Sequence, residues 1–143
     1  MAEARQVMNA VTEAIFARNL EAAAKLYAAD AVAITPDAGE LRGREQIIQY
    51  FKQFFDAFPD ATDEVAYAYE SGNTAIDEGY VFGTNTGPIP MPSGESIPAT
   101  GKRVRVRECD VATVENGVIT SHRFYFDQME LLGQLGLLPE MDS

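Results

Sequence analysis

The stretch KRVRVRECDVATVENGVITSHRFYFD, residues 102–127, decides the fold that we expect for this chain. It holds the turn signal Asn116-Gly117 between two runs in which apolar and polar residues nearly alternate. Asn-Gly favours positive φ at both central positions of a two-residue type I′ turn, so the stretch predicts a β-hairpin. The turn also predicts the register, in which Val114 opposes Ile119 and every later pair follows by single steps.

This register predicts a face on which acids and apolar side chains mix. Directly opposed residues share a face, so the first strand contributes Glu108 and Asp110 and the second contributes Arg123, Tyr125 and Asp127. Valines and an isoleucine alternate with them. A solvated face seldom mixes valines with acids, and an apolar core excludes three carboxyls, so the pattern predicts a polar-lined cavity. The opposite face is predicted to carry Arg103, Arg105, Arg107, Cys109, His122 and Phe124.

Composition limits the classes of protein that this chain can belong to. Its 143 residues predict one domain, residues 1–143, that is large enough to bury a core. A formal net charge of −11 argues against binding nucleic acid or an anionic membrane surface. Cys109 is the only cysteine and His122 the only histidine, so we expect no disulfide and no metal site. Without a signal peptide or a long apolar run, a soluble cytoplasmic protein is the expectation.

The first half of the chain predicts helices. Apolar residues at helical spacing predict an amphipathic helix over residues 3–17, and Asn19 is placed to N-cap a short second helix. Ala31–Thr35 predicts a short strand. The clearest helix ends at Pro59 and carries an apolar stripe of Ile47, Ile48, Phe51, Phe54, Phe55 and Phe58. Most of this stripe is expected to be core, with Phe51 and Phe55 as candidate walls of a ligand cavity.

The second half of the chain predicts strands. Alternation over residues 64–70 and again over Thr74–Thr86 predicts two strands joined by a turn. The segment 87–101, GPIPMPSGESIPATG, predicts a loop that is either a lid or a proline-stiffened connection. Residues 128–135 predict a short helix that Asp127 is placed to N-cap. Helices followed by antiparallel strands predict an α+β fold, a curved antiparallel sheet wrapped around the N-terminal helices with a cone-shaped cavity between them.

Several segments, in this order and spacing, carry a family resemblance: RGREQIIQYFKQFFDAFPD, GTNTG, PATGKRV and ENGVI…D…LLGQLG. Over roughly Val11 to Pro139 the chain resembles the SnoaL-like polyketide cyclases. These belong to the nuclear transport factor 2-like (cystatin-like) superfamily, with ketosteroid isomerase and limonene-epoxide hydrolase. The resemblance implies a curved sheet covered by helices, a homodimer or higher homo-oligomer, and acid–base catalysis on a small molecule without a cofactor.

The resemblance also implies site residues. The aspartate that closes the last strand is the family's usual catalytic acid or base, and that position is Asp127. Glu108 and Asp110 stand where the cyclases carry a glutamine and a histidine, so the three acids are the candidate catalytic residues. The candidate substrate-binding residues are Tyr125, Arg123, Thr35, Phe51 and Phe55.

The predicted function is cofactor-independent acid–base chemistry, of the cyclase or isomerase type, on a small and largely apolar carbonyl compound. Burial and a neighbouring like charge raise the pKa of a carboxyl, which can then move a proton beside a carbonyl group at neutral pH. In ketosteroid isomerase one aspartate is the base and a second, protonated one donates a hydrogen bond. By analogy, Asp127 is the base and Asp110 or Glu108 polarises the carbonyl, with Tyr125 as a further donor.

Other interpretations stay open at this stage. Asp110 opposite Arg123 predicts a simple cross-strand ion pair, and Asp127 is equally placed to do no more than cap the last helix. His122 is interpreted as structural. The same fold also serves non-catalytic binding or assembly modules, because fold does not fix function. Epoxide hydrolysis by Asp110, Arg123 and Asp127 is a third reading, although the spacing of that family's arginine and aspartate along one strand is absent.

Overall fold

A computed structural model describes residues 3–91 and 93–138 of the chain, so Pro139 at the end of the predicted resemblance lies outside it. Its helices are α1 (Glu3–Phe16), α2 (Leu20–Lys25), α3 (Arg44–Ala57) and α4 (Gln128–Leu135). Its strands are β1 (Tyr27–Thr35), β2 (Gly39–Arg42), β3 (Thr62–Ser71), β4 (Thr74–Thr84), β5 (Ile89–Pro90), β6 (Ser96–Ile97), β7 (Arg103–Glu115) and β8 (Val118–Phe126). None of the helices in the described part is long and apolar enough to cross a membrane.

Six strands form one curved sheet in the order β2-β1-β8-β7-β4-β3. Every neighbouring pair is antiparallel except β1 and β8, which run parallel. The predicted α+β class is confirmed, and the sheet is mixed rather than wholly antiparallel. The parallel pair is possible because the long segment 36–117 lies between these two strands.

The three N-terminal helices cover the concave face of the sheet. α1 packs against β3, β4 and β7, and α3 packs against β1. Both helices are amphipathic, as the sequence predicts, and Asn19 caps α2 by accepting a hydrogen bond from Ala22 N at 3.1 Å. The core between helices and sheet includes Met8, Val11, Ile47, Phe51, Phe55, Val104, Val106 and Ile119.

The turn between β7 and β8 is as predicted. Asn116 and Gly117 have φ values of 53° and 81°, the pair of positive angles that a type I′ turn requires. Val114 opposes Ile119, the predicted pair. The first rungs of the hairpin are therefore confirmed.

A β-bulge then shifts the register by one residue. Thr113 opposes Ser121, so Thr120 is an extra residue on β8. Beyond this point Ala112 opposes His122 and Asp110 opposes Phe124. The predicted register was wrong from here on, because a bulge inverts which side chains point to which face.

The inversion moves one set of side chains inward and another outward. His122, Phe124 and Phe126 share the concave face with Glu108 and Asp110. Arg123, Tyr125 and Asp127 consequently leave that face. The prediction that these three lie with the acids of β7, and that Asp110 pairs with Arg123, was wrong. Arg123 instead donates to Ser121 Oγ at 2.9 Å.

The proline-rich segment 87–101 is anchored at its base by the fully buried Asn85. The Asn85 side chain donates to the carbonyl oxygens of Ala57 and Gly87 at 3.1 and 2.9 Å. Its oxygen accepts from the backbone N–H and the hydroxyl of Thr100 at 2.8 and 2.9 Å. These contacts, with the short β5–β6 hairpin, favour the stiffened connection over the lid.

The convex face of the sheet is not covered by the N-terminal helices. It carries the arginines of β7, and the Arg105 guanidinium stacks over the Tyr80 ring at 3.9 Å. Tyr67 and Tyr125 are 59% and 55% exposed. The predicted outward placement of the β7 arginines is confirmed.

Candidate functional site

A chain of hydrogen-bonded polar side chains crosses the concave face. The Tyr27 hydroxyl lies 2.7 Å from His122 Nδ1, and His122 Nε2 lies 2.6 Å from Asp110 Oδ2. The carboxyl of Glu108 lies on the same face of β7 as that of Asp110, close enough for the charge of Asp110 to raise its pKa. The four residues therefore form one continuous array from β1 through β8 to β7.

The array lies deep in the protein and is held by regular structure. Tyr27, His122 and Asp110 have exposed fractions of 0%, 1% and 7%, whereas Glu108 is only partly buried. Arg44 fixes the start of β1 by donating twice, at 3.0 and 2.7 Å, to the Tyr27 carbonyl oxygen. Because Glu108 is the most accessible member, it is the one that a ligand would meet first.

The electrostatic surroundings keep Glu108 neutral. Burial, followed by the negative charge of Asp110 and the hydrogen bond to it, raises the pKa of Glu108 far above its ordinary value. Asp77 and Asp63 add further negative charge. Neighbouring buried carboxyls repel each other when both are ionised, so the raised pKa keeps Glu108 protonated near pH 7.

Asp77 belongs to the same acidic face but has its own counter-charge. It opposes Asp110 on β4, and its carboxylate forms an ion pair with Arg5 of α1. Burial and the nearby Asp110 charge raise the pKa of Asp77, while Arg5 opposes this shift. Arg5 thus offsets one of the clustered carboxylates and leaves the Glu108–Asp110 pair to share a proton.

An aromatic wall stands beside the acid pair. Phe124, directly opposite Asp110, meets the Phe51 ring edge-on at a centroid distance of 5.8 Å. Tyr50 follows on α3 and donates to Asp37 Oδ1 at 2.9 Å. Burial, followed by the charge of Asp37 and the hydrogen bond to it, raises the pKa of Tyr50, which remains a phenol.

Tyr50 also borders an open groove between α3 and the turn after β1. The groove has a volume of about 440 Å³ and is lined by Ala38, Leu41, Glu45, Gln46, Gln49, Tyr50 and Gln53. A second groove, of about 490 Å³, lies between α1 and α2. Of these two grooves, only the one beside α3 is lined by Tyr50, which lies near Glu108.

The structure brings together some of the predicted site residues. Glu108 and Asp110 are paired, Thr35 is buried within hydrogen-bond reach of Tyr50, and Phe51 contacts the aromatic wall. Phe55 lies elsewhere in the core, beneath the Arg18 guanidinium at 3.9 Å.

The other predicted site residues lie away from the acid pair. Asp127 is exposed and caps α4, accepting from the backbone N–H groups of Met129 and Glu130 at 2.9 and 3.1 Å. Arg123 and Tyr125 point to the convex face. An Asp–Arg–Asp group of Asp110, Arg123 and Asp127 is therefore not assembled.

The sequence reasoning missed His122 and Tyr27. His122 was assigned to the outer face because the bulge was not foreseen. The signal lay in β8 itself, where the apolar Ile119 is at an odd position and Phe124 and Phe126 are at even positions. An apolar pattern that changes parity within one strand indicates a bulge. Tyr27, by contrast, precedes the predicted strand and carried no signal.

The clustered acids also raise the question of a metal site. Within residues 3–91 and 93–138, no group of three or more histidine, cysteine, aspartate and glutamate side chains is arranged to hold a metal ion. Among these acids, Glu108 has a raised pKa, and Asp77 forms an ion pair with Arg5.

A curved sheet with helices over a concave polar array defines the class of nuclear transport factor 2-like α+β proteins. The sequence model of the SnoaL-like polyketide cyclase family matches residues 5–135, so the chain belongs to this family. No protein with a curated description matches this chain.

Solved structures agree with this fold. A SnoaL-like polyketide cyclase candidate from Jannaschia sp. CCS1 superposes with a TM-score of 0.83 at 16% identity, covering 96% of this chain and 94% of that one. AclR, a candidate hydroxylase from Streptomyces galilaeus, gives 0.78 at 22% identity over 99% and 86%. IdmH, a candidate polyketide cyclase from Streptomyces antibioticus, gives 0.75 at 24% identity over 93% and 98%.

Proposed function

We propose that the chain is a cofactor-independent acid–base enzyme that acts on a small, largely apolar carbonyl compound, in a cyclisation or isomerisation. Membership of the SnoaL-like polyketide cyclase family supports this class of role. The observation that carries the proposal is the placement of Glu108 beside Asp110 on the concave face, where burial and the Asp110 charge raise the pKa of Glu108. Such a pair contains both an acid and a base at neutral pH.

In the proposed reaction Glu108 donates its proton to the carbonyl oxygen of the substrate. The carboxylate of Asp110 removes a proton from the adjacent carbon, so the C–H electron pair forms the C=C bond of an enol. The pair then again holds one proton and one negative charge, and the reverse transfers at another carbon complete an isomerisation. In a cyclisation the enol carbon instead attacks a second carbonyl group, while Glu108 takes back the enol O–H proton and Asp110 gives its proton to the oxygen of that carbonyl.

Access to the pair is proposed to run through the groove beside α3. Tyr50 lines this groove and is held by its hydrogen bond to Asp37 in an exposed turn. Breaking one such bond costs about 1 kcal/mol, which the binding free energy of a ligand that displaces the Tyr50 ring can offset. Phe51 and Phe124 offer the apolar surface that a hydrophobic substrate would contact.

Hydrogen exchange tests the proposal without knowledge of the natural substrate. A panel of cyclic ketones and β-keto esters is incubated with the protein in D2O, and loss of the α-proton signal is followed by NMR. Glu108→Gln should slow exchange of any accepted compound by about 10²-fold or more, because a positioned acid contributes this much. Glu115→Gln, an exposed glutamate on the same strand, is the control. Equal exchange with Glu108→Gln and wild type would refute the assignment.

A non-catalytic binding module is the second candidate, favoured by the depth of the pair and by its internal hydrogen bonds. Thermal stabilisation by compounds of the panel, with no acceleration of exchange by wild type, would select this function.

We also propose a homodimer that forms through the convex face. The arginines of β7 are exposed there, and Glu64 and Glu78 lie on the same face of β3 and β4. A two-fold contact can set the basic strand of one copy against the acidic strands of the other, with Tyr67 and Tyr125 between them. Sedimentation of wild type against Arg105→Glu tests this, and a monomeric wild type at micromolar concentration would exclude it.

A further inference from the structure

The hydrogen-bond array behind the carboxyl pair has a direction that can be deduced by counting donors. Tyr27 is completely buried, and within the described residues His122 Nδ1 is the hydrogen-bond partner of its hydroxyl. Burial and the Asp110 charge raise the pKa of Tyr27, so the hydroxyl keeps its hydrogen. A buried hydroxyl hydrogen without an acceptor costs roughly 1–3 kcal/mol, so this hydrogen should point at Nδ1.

The state of the histidine follows from that hydrogen. If Nδ1 accepts from Tyr27, it carries no proton, and the proton of the neutral imidazole is on Nε2. Nε2 then donates to Asp110 Oδ2 over 2.6 Å, a bond that a carboxylate accepts more strongly than a neutral carboxyl. In both alternatives, the imidazolium and the Nδ1–H tautomer, Nδ1–H would point at the Tyr27 oxygen and leave the hydroxyl hydrogen without its acceptor.

We propose that Tyr27 and His122 are positioning residues that hold Asp110 as the anion and thereby keep the proton of the carboxyl pair on Glu108, where a substrate can reach it. The positioning of His122 stands on geometry alone, whereas its catalytic consequence rests on the function proposed above. In the proposed arrangement His122 Nε2–H and the O–H of Glu108 both point toward Asp110, and the proton of the pair resides on the more accessible carboxyl.

Charged groups on four elements of the fold surround His122. Asp110 and Glu108 on β7, Asp77 on β4 and Asp63 on β3 place negative charge around His122, and Arg5 of α1 contributes one positive charge. An imidazolium at this position would carry a proton on both ring nitrogens. In the proposed arrangement the hydroxyl of Tyr27 prevents it, because only a neutral Nδ1 can accept that hydrogen.

The wild-type protein can be tested directly because His122 is its only histidine. A long-range 1H–15N spectrum of uniformly labelled protein at about pH 7 contains one imidazole spin system. We expect the Nδ1 shift of an unprotonated nitrogen and the Nε2 shift of a protonated one. Two protonated nitrogens, or protonation on Nδ1 alone, would overturn the proposal whatever the enzyme activity proves to be.

Tyr27→Phe tests the positioning role, with Tyr69→Phe on exposed β3 as the matched control. Without the hydroxyl, Nδ1 is free to take a proton, and the resulting imidazolium stabilises two ionised carboxyls. We expect the Nδ1 signal to shift toward that of a protonated nitrogen, and α-proton exchange to fall about 10-fold at pH 8 but little at pH 6. An unchanged Nδ1 signal, or an equal loss at both pH values, would refute positioning.

Failure of the proposed function gives a different result. In that case wild type and Glu108→Gln exchange α-protons equally, while the imidazole spectrum of wild type still shows the Nε2–H tautomer. If Tyr27→Phe does not fold, the wild-type spectrum still decides the proposal.

Discussion

Replacing Glu108 by glutamine should remove a pH dependence from the free energy of unfolding. The neutral carboxyl and the glutamine amide have nearly the same size, and both can donate a hydrogen bond to Asp110. The unfolded chain ionises Glu108 above about pH 4.3, whereas the folded chain keeps it protonated well above that pH. In this window the folded state binds more protons than the unfolded state, so the stability of wild type falls as the pH rises.

The magnitude follows from the same linkage. A single group that is protonated only in the folded state changes the free energy of unfolding by about 1.4 kcal/mol per pH unit. Between about pH 5.5 and 7.5 the stability of Glu108→Gln should therefore rise relative to wild type by up to about 3 kcal/mol. Asp63 and Asp77, whose pKa values are also raised, contribute a similar slope to both proteins and cancel in the difference.

Urea unfolding followed by far-ultraviolet circular dichroism suits this chain, which contains no tryptophan. Glu115→Gln, from the exposed end of β7, serves as the control for loss of one carboxylate from the same strand. The reasoning would be refuted by a difference between Glu108→Gln and wild type that stays constant over this pH range, because Glu108 would then be ionised in the folded protein.

Substitutions at four further positions test the fold around the site. Asn85→Ala removes two donors and one shared acceptor from a buried position and should lower the urea-derived stability by about 3 kcal/mol, and Asn85→Asp should not restore it because a carboxylate cannot donate. Gly79→Ala should cost more than about 3 kcal/mol because its Cβ would collide with the Glu64 backbone oxygen, whereas Gly83→Ala meets only the side chain of Phe58 and should cost less, as thermal melting can show. Asp127→Ala should lose about 1 kcal/mol of stability and Asp127→Asn only a few tenths, since asparagine also caps a helix; equal losses would contradict the cap.

The fold was predictable because its signals are local. Asn116-Gly117 requires a particular turn, and the apolar stripe of α3 requires a buried helix face, whatever the rest of the chain does. The pairing of β1 with β8 was not predictable in this way, because it joins segments about 95 residues apart. The hydrogen bond between Tyr27 and His122 depends on that pairing.

The site was predictable only in part, and the reason is a single residue. Glu108 and Asp110 lie on β7, whose alternation is regular, so their shared face was inferred correctly. On β8 the prediction depended on which face each side chain after Thr120 points to. A turn fixes this alternation only as far as the first bulge. The residues placed by resemblance, Asp127 and Arg123, lie beyond it.

The bulge is also what makes the array chemically complete. With a regular ladder, Arg123 would face Asp110, and a guanidinium would neutralise that carboxylate without restricting where its neighbour's proton resides. With Thr120 displaced, Asp110 instead meets an imidazole, which donates one hydrogen bond and remains neutral when its other nitrogen accepts from Tyr27. The negative charge of Asp110 is then retained beside Glu108, where it adds to the effect of burial in keeping Glu108 protonated. One extra residue in β8 thus replaces a potential ion pair with the carboxyl pair on which the proposed proton transfers depend.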